Sequence, residues 1–265
     1  MTGFTLSARS RRFAVVLLSS AALIALWGIA SLFVSDIILP SPRRVIGEFA
    51  AFLSRPQFYL ALQATVRRGI EGFLLSLLIG GVLGIAAGGI PAVEALFRPL
   101  LSVVKATPVM SIILLAFIWF RSGTVPVFAG FLMAFPVVTQ NVMIGVREVP
   151  NQLLEMARIY RFSFRQRFFH IILPSITPFL LSGARSALGL TWKVVVAAEV
   201  LTVPRHGIGS SMQFAQINLD TTQVLAWTLA AILLSAASEL LFDLLAGLLQ
   251  PYKRRRRLHA HSGAV

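Results

Sequence analysis

The residues of this 265-residue sequence that could do chemistry are charged side chains set inside strongly apolar stretches. They comprise three cations and four carboxylates: Lys105, Arg185, Lys193, Glu71, Glu199, Glu239 and Asp243. A charge inside a bilayer is expensive and usually faces a partner or an aqueous cavity. The chemistry that they indicate is therefore the pairing or conduction of charge rather than the making of bonds.

Four of these residues fall in the inner half of the membrane on the expected topology: Lys105, Arg185, Glu239 and Asp243. Glu239 and Asp243 are one helical turn apart and share a face of the last apolar helix. We expect a buried ion-pair cluster among the four. The alternative is a cytoplasmic gate whose pairs exchange as the helices rock.

Lys193 lies near the middle of an apolar stretch and has no obvious partner. It either forms a salt bridge with Glu71 or Glu199, or lines a pathway that favours an anionic or electron-rich solute. Glu199 shares a helix face with Arg185 at the opposite end of the stretch, so both are pathway or gate candidates. Pro108 is another, because an internal proline kinks a helix and frees a carbonyl, often where a pathway is lined.

Several kinds of site are excluded by residue type. Without cysteine there are no disulfides, thiolate metal sites or cysteine nucleophiles. No GxxxxGK[ST] loop occurs, so the chain cannot bind ATP in the usual phosphate cradle. His170, His206, His259 and His261 have no carboxylates at ligand spacing. We expect no catalytic site, no metal and no cofactor.

The composition is that of an integral membrane protein, with 57% hydrophobic residues, 13% charged residues and a mean hydropathy of +0.81. A soluble domain has about 25% charged residues. Nucleic-acid binders carry positive charge on a polar surface, which this chain mostly lacks. Its formal charge of +14 is better explained by retention of Lys and Arg on the cytoplasmic side of a membrane, so no nucleic acid is expected.

Six apolar runs predict an all-α, polytopic membrane protein of about six transmembrane helices. We expect helices near residues 13–34, 65–90, 99–120, 124–146, 176–201 and 223–249. Gly80, Gly84 and Gly88 line one face of the second run, where they favour close helix packing or, alternatively, a hinge.

The distribution of Lys and Arg predicts that both termini are cytoplasmic. The expected organisation is a basic N-terminus (1–12), a first transmembrane helix (13–34), an external segment with Leu-Pro-Ser-Pro (35–64), a core of five transmembrane helices (65–250) and a basic tail (251–265). The core includes a polar stretch, residues 147–174, which we call the inner segment. Its five arginines place it in the cytoplasm, and its periodicity predicts a short helix, a turn and a second amphipathic helix.

The inner segment resembles the EAA signature, with E-A-A, a later glycine and I-x-L-P, of the membrane subunits of ABC importers. The matching residues are Glu155, Ala157, Ile171, Leu173 and Pro174. Met156 replaces the first alanine, and Arg161 stands where the family has a glycine that turns the chain with positive φ. The surroundings are similar to the nitrate/sulfonate/taurine branch of binding-protein-dependent permeases.

The resemblance implies a type I ABC importer permease fold in the inner membrane. In that family this segment is a coupling helix that docks on a cytoplasmic ATPase, here through the residues just named. It further implies a permease homodimer in lipid around a central pathway, and an external binding protein that sets the substrate. Nitrate, taurine, alkanesulfonates and pyrimidine-type thiamine precursors all stay open. The rival interpretations are an ion-coupled secondary transporter, for which no repeat is visible, and a membrane enzyme.

Overall fold

The computed structural model describes residues 8–249, and every regular element in that range is helical. The expected basic tail, with Lys253 to Arg257, His259 and His261, lies outside the described residues, as does the start of the basic N-terminus.

Eleven helices follow one another between residues 8 and 249. They are α1 (Ala8–Phe33), α2 (Pro42–Phe52), α3 (Pro56–Gly89), α4 (Pro91–Ala106), α5 (Val109–Trp119), α6 (Val125–Arg147), α7 (Asn151–Ile159), α8 (Phe164–Arg167), α9 (Leu173–Thr202), α10 (Ile208–Ile217) and α11 (Thr221–Leu249). A π-helical turn, Phe168–Ile172, joins α8 to α9.

Four helices are long and apolar enough to cross a membrane: Pro56–Gly89, Val125–Arg147, Phe164–Thr202 and Thr221–Leu248. The pair α4 and α5 makes a fifth span if its two bent parts are counted together. Residues Leu18–Phe33 of α1 form a shorter apolar helix. The expected all-helical, polytopic class is confirmed, with four spans, or five if the bent pair is one span, among the described residues.

The core of the bundle is made by α3, α6 and α9. Its largest apolar cluster joins Phe73 of α3, Val138 and Val142 of α6, and Ile176 and Trp192 of α9. The remaining helices pack around this centre and leave many apolar side chains exposed. Exposed apolar area of this extent suits a protein whose solvent is lipid.

Gly80, Gly84 and Gly88 lie on the face of α3 that meets α6. At Gly84 an added Cβ would lie 2.7 Å from the carbonyl oxygen of Thr139 and 2.7 Å from the Cβ of Val142. No side chain fits at that separation, so the absence of a Cβ lets the two backbones touch.

Replacing Gly84 with alanine is expected to destabilise the bundle by about 1–3 kcal/mol, because α3 and α6 must move apart. Gly81, on the same helix, has nothing within 4 Å of an added Cβ and gives a matched control. Thermal unfolding in detergent, followed by tryptophan fluorescence, measures the difference. Equal unfolding temperatures for Gly84→Ala and Gly81→Ala would contradict the packing role.

The expectation of a single kinked transmembrane helix over residues 99–120 is wrong. The helix begins earlier, at Pro91, and breaks at Thr107 and Pro108, with a bend of 102° between α4 and α5. Pro108 has no N–H to donate and disfavours the helical region for the preceding residue, and Thr107 is accordingly extended, with ψ of 127°. The proline breaks the span rather than merely bending it.

One expected boundary needs correction, and one connection contains an additional helix. The division between an external segment ending at residue 64 and a core starting at residue 65 falls inside α3, which begins at Pro56. A helix of 34 residues is about 51 Å long and exceeds a ~30 Å hydrocarbon core, so its polar first turns extend beyond the apolar run. The connection between the expected helices 176–201 and 223–249 contains α10.

Candidate functional site

The inner segment begins where α6 ends and folds as α7, a tight turn and a return into α9. The turn closes with a capping box: the backbone N–H of Gln166 donates to Ser163 Oγ at 3.3 Å, and the backbone N–H of Ser163 donates to Gln166 Oε1 at 2.8 Å. These bonds satisfy donors that a helix start otherwise leaves unpaired. The direction of the returning chain is thereby fixed.

Arg161 adopts the positive φ that glycine has in the family pattern, with φ of 50°. The N–H of Phe162 donates to the Ala157 carbonyl at 2.8 Å, and the N–H of Arg161 donates to the Arg158 carbonyl at 3.1 Å. These two bonds are the paired contacts of a Schellman motif, which ends α7 in the left-handed conformation. The arginine thus preserves the turn at a cost of roughly 1–2 kcal/mol.

A small apolar cluster holds the inner segment together. Val149, Ala157 and Ile171 are buried, and Leu154 and Phe162 pack against them. Ala157 is only 3% exposed, so a small side chain is needed for α7 to lie against the returning chain. Of the residues in the EAA pattern, the structure therefore turns Ala157 and Ile171 inward.

The other residues of that pattern do not share one environment. Leu173 is half-buried at the start of α9, whereas the rest are exposed: Glu155, Met156, Arg161 and Pro174. The structure therefore divides the expected coupling residues between a folded core and a free surface.

The free surface of the inner segment is unusually apolar for a polar connection. Ile159 is 78% exposed, Tyr160 is 72% exposed and Phe164 is 73% exposed, with Phe169 exposed nearby. We call these four side chains the apolar rim. Large apolar side chains grouped at the surface of a basic segment are typical of a site that contacts another protein.

The expected second amphipathic helix is not a separate element. Helix α8, the π-helical turn and α9 follow without a break, so one helical run extends over Phe164–Thr202. Pro174 lies in the first turn of α9, where its missing N–H removes little hydrogen bonding. The end of the inner segment is therefore continuous with an apolar helix long enough to cross a membrane.

At the opposite end of the bundle, Glu199 of α9 is completely buried and pairs with Arg68 of α3. Arg68 Nη1 lies 2.6 Å from Glu199 Oε1. The Thr65 hydroxyl donates to the same carboxylate, 2.8 Å from Oε2, and the Gly209 N–H donates to Oε2 at 3.0 Å. We call Thr65, Arg68, Glu199 and Gly209 the buried clamp.

The buried clamp also fixes two connections. Arg68 donates to the carbonyl oxygens of His206 at 2.7 Å and Gly123 at 3.2 Å. An added Cβ at Gly209 would lie 2.3 Å from the Val196 carbonyl oxygen. The clamp therefore joins α3, α9, α10 and the connection before α6 into one unit.

Glu199 was expected as a pathway or gate candidate, and in this chain it lies in a buried ion pair. It is 0% exposed within a single chain and its carboxylate is fully occupied. The sequence analysis did not single out Arg68. The two residues are 131 positions apart, and no local spacing connects them.

The other charges within the apolar helices are arranged more openly than expected. Arg185 pairs with Asp243 at 2.9 Å, but Lys105 bonds the Gln140 amide oxygen and Glu239 lies near Ser235, so the four-residue cluster does not form. Pro108, the other pathway candidate, is the N-cap residue of α5 and therefore lies at the break between α4 and α5.

Lys193 does not pair with either carboxylate that the sequence suggested. Glu71 bonds Arg67 at 3.4 Å, and Glu199 bonds Arg68. Lys193 is exposed on α9, and its amine has no ion pair within residues 8–249. Within the same range no group of His, Asp and Glu side chains could hold a metal ion.

Residues 77–255 match the family model described as "Binding-protein-dependent transport system inner membrane component". The match begins within α3 and covers the inner segment and α9. It does not include α1 or α2.

Proteins named as transport permeases are similar over half to three quarters of the chain. The putative aliphatic sulfonates transport permease protein SsuC of Bacillus subtilis is 31% identical over 209 residues, which is 76% of this chain and 75% of that protein. The taurine transport system permease protein TauC of Escherichia coli is 30% identical, over 76% of this chain and 75% of its own. The nitrate import permease protein NrtB of Leptolyngbya laminosa is 28% identical over about half of each chain.

A similar backbone occurs in the inward-facing MetNI methionine ABC transporter. The TM-score is 0.58 at 20% sequence identity, covering 74% of this chain and 99% of that one. At this identity the likeness concerns the fold alone.

Proposed function

The chain belongs to the binding-protein-dependent transport system inner membrane components, and we propose that it forms the pathway for a small anionic solute of the sulfonate or nitrate type. Its role as permease subunit of an ABC importer agrees with the resemblance in the inner segment. The family is a non-catalytic membrane component, so the energy comes from an ATPase partner and the solute from a binding protein.

The orientation that we propose places the inner segment and both termini in the cytoplasm. The five arginines of the inner segment support it, because basic connections are retained on that side. The buried clamp then lies at the external end, where the binding protein delivers solute. We further propose a homodimer in the lipid bilayer, since a single chain presents Lys193 and much of α5 without cover.

The coupling role that we propose rests on the apolar rim and the exposed Glu155. An ATPase groove would cover the rim and pair with the carboxylate, while the cluster around Ala157 keeps α7 rigid against the returning chain. Because Phe164–Thr202 is one helical run, movement of the ATPase would be transmitted through α9 to the buried clamp. Alternating access would follow as this body rocks against the α4 and α5 pair.

The single observation that carries the substrate class is Lys193. Its exposed amine sits inside a membrane-spanning helix without a carboxylate partner among the described residues. Such a cation favours negative solutes near it. Lys105, whose amine bonds the neutral Gln140 and no carboxylate among residues 8–249, adds a second cation inside the membrane-spanning part. Several relatives are named for sulfonates, taurine or nitrate, each of which carries an anionic group.

Replacing Lys193 with glutamine is expected to lower uptake of ethanesulfonate and nitrate about tenfold, because one charge-assisted contact of roughly 1.4 kcal/mol is lost. Lys193→Arg keeps the charge and is expected to retain most uptake. The measurement is accumulation of each anion by proteoliposomes that contain the permease, its ATPase and its binding protein.

The two parts of the proposal fail separately in this experiment. A wild-type transporter that accumulates neither anion would overturn the substrate class. Normal uptake of an anion by Lys193→Gln would leave the substrate class standing and remove Lys193 from the pathway.

A further inference from the structure

Beside the buried clamp, on the end of the bundle opposite the inner segment, lies an open cleft of about 320 Å³. It is lined by Leu60, Gln63, Ala64, Arg67, Arg68, Arg205 and His206. We call it the basic cleft. Cavities that hold small molecules have volumes of about 300–1,000 Å³, so there is room for one small solute.

The cations of the basic cleft come from two separate parts of the chain. Arg67 and Arg68 are on α3, and Arg205 is in the connection between α9 and α10. Arg68 is occupied by Glu199, and Arg67 is held at 3.4 Å by Glu71 while remaining 70% exposed. Glu71 and Glu199 thus pair with the two arginines of α3. Neither carboxylate pairs with Arg205.

Arg205 is the cation that is free to bind. Its guanidinium is exposed and has no hydrogen bond or ion pair to any residue of the described range 8–249. It faces the cleft together with the exposed ring of His206 and the amide of Gln63. A guanidinium binds a planar or tetrahedral oxyanion through two parallel N–H donors, which suits nitrate and sulfonate alike.

The connection that carries Arg205 is held in place rather than loose. Val203 has a φ of 42°, a conformation that is rare for a β-branched residue and persists only when the surroundings impose it. Arg68 binds the carbonyl of His206 at 2.7 Å and anchors the connection to α3. The donors are thus arranged before any ligand arrives, which lowers the entropic cost of binding.

We propose that the basic cleft is an anion-binding site at the external mouth, which takes the small sulfonate or nitrate after the binding protein releases it. The anionic class rests on the proposed function, whereas the location and the residues rest on the cleft itself. A concave site of this size with one free guanidinium fits a single small anion better than it fits a protein surface. Arg205 is its principal ligand, and Arg67 is its second.

The test is a titration of the full-length permease in nanodiscs with methanesulfonate. Binding is measured by isothermal titration calorimetry at fixed ionic strength. We expect saturable binding that Arg205→Ala weakens about tenfold, since a charge-assisted pair is removed. Arg43 is exposed on α2 and does not line the cleft, so Arg43→Ala removes the same charge elsewhere. That control is expected to bind like the wild type.

Three outcomes would overturn the site: no saturable binding, equal binding by wild type and Arg205→Ala, or equal weakening by Arg205→Ala and Arg43→Ala. The last would indicate general attraction to a basic surface. Uptake of ethanesulfonate by the complete transporter, measured in parallel, separates this result from failure of the proposed function. If the wild type accumulates ethanesulfonate while Arg205→Ala binds and transports anions normally, the proposed function stands. Only the assignment of the basic cleft as a binding site is then wrong.

Discussion

Replacing Glu199 with alanine is expected to destabilise the folded chain by about 3–5 kcal/mol, because the change leaves a buried guanidinium without its partner. Arg68 is only 5% exposed, and its Nη1 lies 2.6 Å from the Glu199 carboxylate, so water can replace little of the lost contact. Thr65 and Gly209 lose their shared acceptor at the same time. We expect a large drop in the thermal unfolding temperature in detergent, measured by tryptophan fluorescence.

Arg67→Ala supplies the matched control for this change. Arg67 is adjacent to Arg68 on α3, but its bond with Glu71 is 3.4 Å long and both side chains are largely exposed. Loss of an exposed pair of this kind costs about 0–1 kcal/mol. Similar unfolding temperatures for Glu199→Ala and Arg67→Ala would contradict the existence of a buried clamp.

The second large effect concerns coupling rather than stability. Glu155→Lys is expected to lower ATP-driven uptake at least about tenfold, because a reversed charge at a docking surface costs several kcal/mol in association. Glu155 is exposed, and its carboxylate has no ion pair within the described chain, so the unfolding temperature is expected to stay unchanged. The assay compares uptake with ATP hydrolysis in the same proteoliposomes.

Glu148→Lys makes the same charge change on an exposed residue between α6 and α7. We expect it to transport nearly as well as the wild type, since it lies outside α7. Ala157 is a poorer probe, because it is buried in the small cluster and a bulky residue there would reshape the inner segment. Full uptake by Glu155→Lys would count against docking through this face.

Features that depend on composition and local period were predictable from the sequence. The apolar runs gave the spans of α6, α9 and α11 to within a few residues, because a bilayer requires long uninterrupted apolar helices. The inner segment was predictable because its five arginines interrupt the apolar runs. Glycines one turn apart indicated a close contact on α3, and α6 lies against that face.

Features that depend on distant parts of the chain were not predictable. The sequence contains no signal that ties Arg68 to Glu199, which are brought together only when α3 and α9 pack. A proline predicts a disturbed helix, yet neighbouring helices decide whether the result is a kink or the 102° break found at Pro108. The turn forms with arginine in place of glycine at position 161 because two backbone hydrogen bonds offset the strain of the positive φ.

The most direct test of ATP-driven import is accumulation of ethanesulfonate or nitrate by proteoliposomes that contain the permease, its ATPase and its binding protein. ATP or an ion gradient is supplied as the only energy source. We predict accumulation that requires ATP and the binding protein, and none when a proton or sodium gradient is imposed alone. Accumulation driven by such a gradient in the absence of ATP would contradict the assignment and favour an ion-coupled transporter.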